Sequence, residues 1–235
     1  MCYETINYNR YSMKPIKTII AMASAALAFS ACCNCNSTEP AIPQDKDIEA
    51  KIEKVLKGMT LEEKVGQMTQ LNATAVAHGV KITEAGESAL RDYKIGSVLN
   101  TPGDFAQTPE KYNEFISEIN RISIEACGIP TLYGLDHIHG VTYVAGGTLF
   151  PQEVNIAATF NRDHAYNMGK VTAYESRAAN VPWTFSPTMD LGRNPEWPRM
   201  WESFGEDTYV NAQMAVADHT ISLHAQNISW DMVFR

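Results

Sequence analysis

After a polar stretch that ends near residue 47, apolar residues recur at helical spacing in blocks separated by short apolar runs. Ile48, Ile52, Val55 and Leu56 fall on one face of a short helix, which Gly58 ends. Thr60 and Glu63 stand three apart, a capping-box pair, ahead of Leu61, Val65, Met68 and Leu71. That spacing predicts a second helix running through Leu71. Ile95 to Asn100 reads as a short buried strand. Thr108-Pro109 opens a helix to about Ala126 that carries Tyr112, Phe115, Ile116 and Ile119 on one face, and Gly128-Ile129-Pro130 breaks it. Thr131 to Asp136 is a second strand. A Gly-rich loop follows, then a helix from about Arg162 to Ala179, a third strand from Trp183 to Asp190, and a last helix starting near Asp207. Strands that alternate with helices predict a parallel α/β sheet or barrel. The methionines read as core filler, and Trp183, which follows Pro182, reads as a core residue.

The front of the chain has a different pattern. Met13-Lys14-Pro15-Ile16-Lys17 is short and basic, Thr18 to Ser30 is apolar, and Ala31-Cys32 offers a small-residue cleavage site. The run is too short to span a bilayer. Phe29-Ser30-Ala31-Cys32 resembles a bacterial lipoprotein signal, in which Cys32 would be lipidated; the alternative is an ordinary cleaved signal peptide. The chain then divides into a leader at 1–35, a polar, Pro-containing tether at 36–46, and a folded part at 47–235. This predicts an exported protein, periplasmic or held at the outer membrane of a Gram-negative bacterium by a lipid anchor. Four of the five cysteines lie within the first 35 residues and only Cys127 falls in the folded part, so no disulfide framework is expected. Cys32, Cys33 and Cys35 have no second ligand pair at usable spacing for zinc. A net charge of −8 excludes a phosphate-binding, nucleic-acid surface.

Polar and aromatic residues collect just after two of the strands. The second ends in Gly134-Leu135-Asp136-His137-Ile138-His139-Gly140. The third is followed by a run from Ser186 to Asp207 that holds Asp190, Arg193, Trp197, Arg199, Trp201, Glu202 and Glu206. In a parallel α/β barrel, the C-terminal strand ends carry the active site. Carboxylates and guanidinium groups hydrogen-bond sugar hydroxyls, and aromatic faces pack against sugar C–H surfaces. Asp136, Arg193, Arg199, Glu202, Trp197 and Trp201 supply those types. One arginine is expected to be structural, paired with Asp190 or Glu206. His137 and His139 could form a metal pair, but no further ligand is evident, and a structural role is favoured. Two carboxyls can work as acid and nucleophile across a glycosidic bond. Spacing alone leaves open whether Asp136 with Glu202, or Asp190 with Glu206, is such a pair.

Four segments in order resemble the N-terminal barrel domain of family 3 glycoside hydrolases of the β-glucosidase type. They are Met59 to Met68, Gly134 to Gly140, Thr148-Leu149-Phe150-Pro151-Gln152, and Ser186 to Asp207. The resemblance implies the N-terminal portion of a (β/α)8 TIM-type barrel, with about three βα units present. It also implies a retaining, exo-acting glycosidase that hydrolyses terminal β-linked sugars through a covalent intermediate on an aspartate, without a cofactor. The substrate would be an oligosaccharide or β-glucoside. Asp136 matches the family aspartate that grips hydroxyls of the first-subsite sugar, and Arg199 matches the arginine that contacts the same sugar. Arg193 and Glu202 would support that loop. Neither tempting carboxyl pair is then catalytic. The family continues with a Lys-His pair and a nucleophile in a Ser-Asp-Trp-like segment. Ser229-Trp230-Asp231 has those letters in another order and far too early, and from about Ala217 the expected glycine-rich pattern is lost. Pro198 stands where the family usually has Gly. The expected chain is therefore truncated, lacks the nucleophile, and exposes a sheet edge and an apolar face. The alternative is a non-catalytic sugar-binding lipoprotein; a metal-dependent hydrolase using His137 and His139 is a third reading.

Overall fold

A computed structural model describes residues 45–103 and 105–226, with side chains through 219. The leader, Cys32 and Ser229-Trp230-Asp231 lie outside the described residues. The chain forms two compact units, one through Lys57 and one from Gly58 onward. The described part of the first is a helix, α1 (Lys46–Gly58), which bears the Ile48–Leu56 stripe.

The second unit opens with α2 (Leu61–Gln67). The Thr60 side chain accepts from the Glu63 backbone N–H at 3.2 Å, and the Glu63 carboxylate accepts from the Thr60 N–H at 2.9 Å, completing the expected capping box. The helix stops at Met68, short of Leu71. Residues Gln70–Asn72 form a strand, β1, that the helical spacing did not predict. Next come a one-turn helix, α3 (Ala73–Val76), and a small antiparallel hairpin of β2 (Ala77–His78) and β3 (Lys81–Ile82). Then follow α4 (Glu84–Arg91), β4 (Ser97–Leu99), α5 (Pro109–Cys127) and β5 (Leu132–Leu135). The unit continues with α6 (Glu153–Ala158), α7 (Arg162–Ala178), β6 (Trp183–Thr184), a 3-10 turn (Met200–Glu202) and α8 (Thr208–Gln226).

Among the described residues, the main sheet has four strands in the order β1-β4-β5-β6, all parallel, with Leu71 opposite Val98, Val98 opposite Tyr133 and Leu135 opposite Thr184. The spatial order follows the chain order without reversal. A doubly wound sheet reverses at a switch point, whereas a barrel winds in one direction. The sheet is thus the N-terminal portion of a TIM-type barrel, with one strand more than the three expected. The predicted third strand is also shorter: only Trp183 and Thr184 pair, and residues 185–190 run on as a loop.

The helices end where their chemistry requires. Thr108 caps α5 and Pro109 occupies its first turn, where a missing N–H is harmless. Gly128 ends α5 in the left-handed region at φ +74° and donates to the Ile124 carbonyl at 2.8 Å. The larger core packs α4 and α5 on the sheet. Tyr133 of β5 meets Tyr112 and Phe115 edge-on, at 6.3 and 5.9 Å between ring centres. A second cluster, built on Ile156, Met168, Phe204 and Met214, lies among α6, α7, α8 and the loop before α8.

Methionine is not uniformly core filler. Met168 and Met214 are buried, but Met68 and Met189 are exposed. Trp183 is no core residue either: it is 38% exposed on the last strand of the sheet, edge-on to Phe185. Pairing with no further strand among the described residues, β6 cannot enclose it.

Candidate functional site

Asp136 sits one residue beyond β5, at the C-terminal end of a buried strand, and is half-buried. Its carbonyl accepts from the Thr142 hydroxyl at 3.0 Å, which pins the start of the loop. That loop, 137–152, folds back on itself. Val141 N–H donates to the Thr148 carbonyl at 2.9 Å, and Gly140, at φ +100°, lies so close to Thr148 that a Cβ would collide with its carbonyl. The Glu175 carboxylate of α7 then accepts from both the backbone N–H and the hydroxyl of Thr148, each at 2.7 Å.

The two histidines engage different partners. His139 Nδ1 lies 2.7 Å from the Phe150 carbonyl and must donate to it, leaving Nε2 to accept from Gln152 Nε2 at 3.2 Å. His137 is fully buried, with Nδ1 2.8 Å from the Ser176 hydroxyl, and burial lowers its pKa to about 4, so it is neutral at physiological pH. Among the described residues, no three His, Cys, Asp or Glu side chains gather to hold a metal ion. Both rings hold the loop to its surroundings.

The second half of the site comes from the run after β6. Ser203 and Phe204 are buried and anchor it, and Asp207 caps α8 by accepting from the Val210 N–H at 2.8 Å. Between these anchors and Trp197, the 3-10 turn presents Arg199 and Glu202. Arg199 Nε and Nη2 both reach Glu202 Oε2, at 2.7 and 2.5 Å, with Arg199 58% exposed and Glu202 14%. The structural ion pair is thus Arg199–Glu202, not the expected pairing with Asp190 or Glu206. Arg193 donates from Nε to the Glu206 carbonyl at 3.3 Å and ties the two parts of the loop together. Trp201 is exposed and Trp197 partly so.

Electrostatics join the two halves. Burial raises the Asp136 pKa, the Arg199 charge pulls it back, and Glu202 adds to the rise. Arg199 is raised chiefly by its hydrogen bond and charge interaction with Glu202, and further by Asp136 and Asp190. A guanidinium braced on one carboxylate and acting on the charge of another can donate to a sugar hydroxyl while Asp136 accepts from it.

Three residues the sequence did not single out belong to this neighbourhood. Tyr143, in the loop after β5, is raised by burial and by the charges of Asp136 and Glu202, with a partial offset from Arg199. Its ring stacks near His137, 6.4 Å away. The other two are buried acids. Glu153 at the start of α6 has no exposed surface, and burial pushes its pKa up to about 8. Asp218 of α8 is raised by burial to about 7, with a partial offset from the Ser186 hydroxyl that donates to it at 3.2 Å. Asp218, Thr172, Ser176, Ser186 and Trp183 line a separate cleft of about 310 Å³ along β6. Nothing in the spacing marked these acids: Glu153 falls between the Gly-rich loop and the helix expected from Arg162, where no element was predicted, and Asp218 falls inside a helical pattern that reads as an ordinary turn.

Residues 60–228 match the family described as glycosyl hydrolase family 3 N terminal domain. The chain is 38% identical over 179 residues to a lysosomal beta glucosidase of Dictyostelium discoideum, a match covering 71% of this chain and 22% of the relative. It is 28% identical over 202 residues to a periplasmic beta-glucosidase of Salmonella typhimurium, covering 86% and 24%. The solved structure of an exo-1,3/1,4-beta-glucanase from a Pseudoalteromonas species superposes with a TM-score of 0.68 at 30% identity, over 76% of this chain and 22% of that one. The chain thus spans under a quarter of the length of these relatives. Its parallel, singly wound sheet, with charged groups gathered at the C-terminal strand ends, is the N-terminal domain architecture of glycosyl hydrolase family 3, and the chain belongs to that family.

Proposed function

We propose that this chain supplies the sugar-gripping part of a retaining, exo-acting β-glucosidase-like site. The observation that supports the reading is that Asp136 and Arg199, on loops after two adjacent parallel strands, act on each other's charge, with Glu202 bracing the arginine. A terminal β-linked glucose bound there donates hydroxyl hydrogen bonds to the Asp136 carboxylate and accepts hydrogen bonds from Arg199. Each charge-assisted bond contributes about 1.5–3 kcal/mol. Arg193 and Glu202 hold the loop, and Tyr143, Trp197 and Trp201 offer aromatic surface for the sugar's C–H face. The names of the relatives, beta-glucosidases and an exo-glucanase, support this substrate class.

Bond breaking is assigned to residues other than these. In the family, the nucleophile follows a Lys-His pair that none of the matching segments contains, so these segments by themselves bind sugar without turning it over. Calorimetric titration with glucose, together with an aryl β-glucoside assay on the same preparation, tests both statements. Saturable hydrolysis abolished by D136N would refute the second; absence of glucose binding would refute the first. The basic-then-apolar segment before Cys32 supports export and lipid anchoring, and a periplasmic relative is consistent with it. Membrane fractionation and fatty-acid labelling of the wild type and Cys32→Ser in a Gram-negative host check that assignment, with label and membrane association lost in the variant.

A further inference from the structure

Glu153 opens α6 with no exposed surface, and neither carboxyl oxygen has a hydrogen-bond partner among the described residues. A carboxylate cannot be held in that state cheaply, whereas a neutral acid can. Its position is specific. α6 packs against the 3-10 turn that carries Glu202, and Ile156 and Ala157 of α6 join Ala165 and Met168 of α7 and Met214 and Ala215 of α8 in one apolar cluster. Asp218 of α8 and Glu202 of the turn, both negative, act on Glu153. Its own backbone N–H offsets only part of the effect of burial. Glu202 in turn is the only ion-pair partner of Arg199 among the described residues.

We propose that Glu153 is a positioning residue for Arg199: a buried, neutral carboxyl behind the 3-10 turn that leaves Glu202 seated on the guanidinium, and whose ionisation pushes Glu202 and the turn outward. Glu153 itself is sealed from the sugar and acts only through Glu202. The proposal rests on the reading of Asp136 and Arg199 as the sugar-gripping pair.

The test uses the whole chain as wild type, E153Q and D218N, between pH 6 and 9.5, with two readouts. The first is glucose affinity. The second is acrylamide quenching of tryptophan emission, since Trp197 and Trp201 flank Arg199. In the wild type, quenching rises with a midpoint near 8, and above it glucose affinity falls by up to about tenfold per pH unit, the limit for one proton. E153Q keeps the neutral-pH affinity and loses both changes, because the amide cannot ionise. D218N retains them, which separates Glu153 from the other buried acid. An E153Q protein with the wild-type alkaline loss overturns the proposal. So does a wild-type quenching curve that is flat across the range, whether or not E153Q folds. If the wild type binds no glucose at any pH, the sugar reading fails while the quenching curves still decide the role of Glu153.

Discussion

Asp136 carries a desolvated charge that must be ionised to accept from a sugar hydroxyl. Its carboxyl is raised above the ordinary value of 3.8, chiefly by burial. Glucose binding is therefore expected to fade as the pH drops through a midpoint above 3.8, at a higher pH than for an ordinary aspartate, and titrations between pH 3.5 and 7 read this directly. D136N keeps the shape but loses the charge, so affinity falls by about 10- to 100-fold, the equivalent of one charge-assisted bond. R199K retains charge but cannot place two nitrogens on Glu202 Oε2 as Arg199 does. The variant should bind glucose about tenfold more weakly while its unfolding midpoint barely moves, since an ion pair this exposed contributes little to stability. Asp136 stands out in the sequence because a strand end and a motif coincide there, and Arg199 because it lies in the motif run that follows the last strand. Tyr143 does not: only the fold-back of 137–152 brings it within the influence of the Asp136 charge. The pairing of Arg199 with Glu202 was equally hidden, since a three-residue separation joins the two side chains only once a 3-10 turn forms between them.

The elements show why local pattern succeeds and fails. α2 was readable because its capping box is a chemical signal confined to four residues. Substituting Thr60 by Ala removes the acceptor for the Glu63 N–H, while the Glu63 carboxylate keeps the backbone N–H of residue 60 and the Lys94 ammonium at 2.5 Å. Loss of the cap should lower stability by about 0.5–2 kcal/mol, measurable by urea unfolding. β1 was missed because Leu61, Val65, Met68 and Leu71 keep helical spacing through the point where the helix ends. Gln70-Leu71-Asn72 has no strand signature of its own and is extended because it pairs with β4. α4 was missed for another reason: its buried residues are Gly86, Ala89 and Leu90, too small a stripe to register, although Thr83 caps it through the Gly86 N–H at 3.1 Å. Gly86 is also where α4 passes so close to Val76 that a Cβ would overlap its backbone. Trp183 misled in the opposite sense, since an apolar residue at a strand start is buried only if another strand covers it.

At the scale of the molecule, singly wound strand order is the property that makes the site possible, because it aims every strand's C-terminal end at the same face. The same folding seals two carboxyls inside, and they set how stability responds to pH. Glu153 and Asp218 are raised to about 8 and about 7, from ordinary values of 4.5 and 3.8. In the unfolded chain both ionise near those ordinary values, whereas in the folded chain both keep their protons until the higher ones. Between about pH 5 and pH 7 the native state therefore binds more protons than the unfolded state, and stability must fall as the pH rises. Each group contributes at most about 1.4 kcal/mol per pH unit. The surface carboxylates work in the other direction: Glu63, Glu118 and Glu125 are lowered by their Lys and Arg partners, so their influence is spent below about pH 5 and does not mask the trend. Urea unfolding of the wild type at pH 5, 6, 7 and 8.5 should show a decline of at most about 7 kcal/mol, about 4 from Glu153 and about 3 from Asp218, that levels off once both acids have ionised in the folded state. E153Q and D218N should each flatten part of the decline, and the double variant most of it. A wild-type stability that climbs from pH 5 to 8 would mean these carboxyls reach water or a cation, and that the packing of α6 and α8 around them is looser than described.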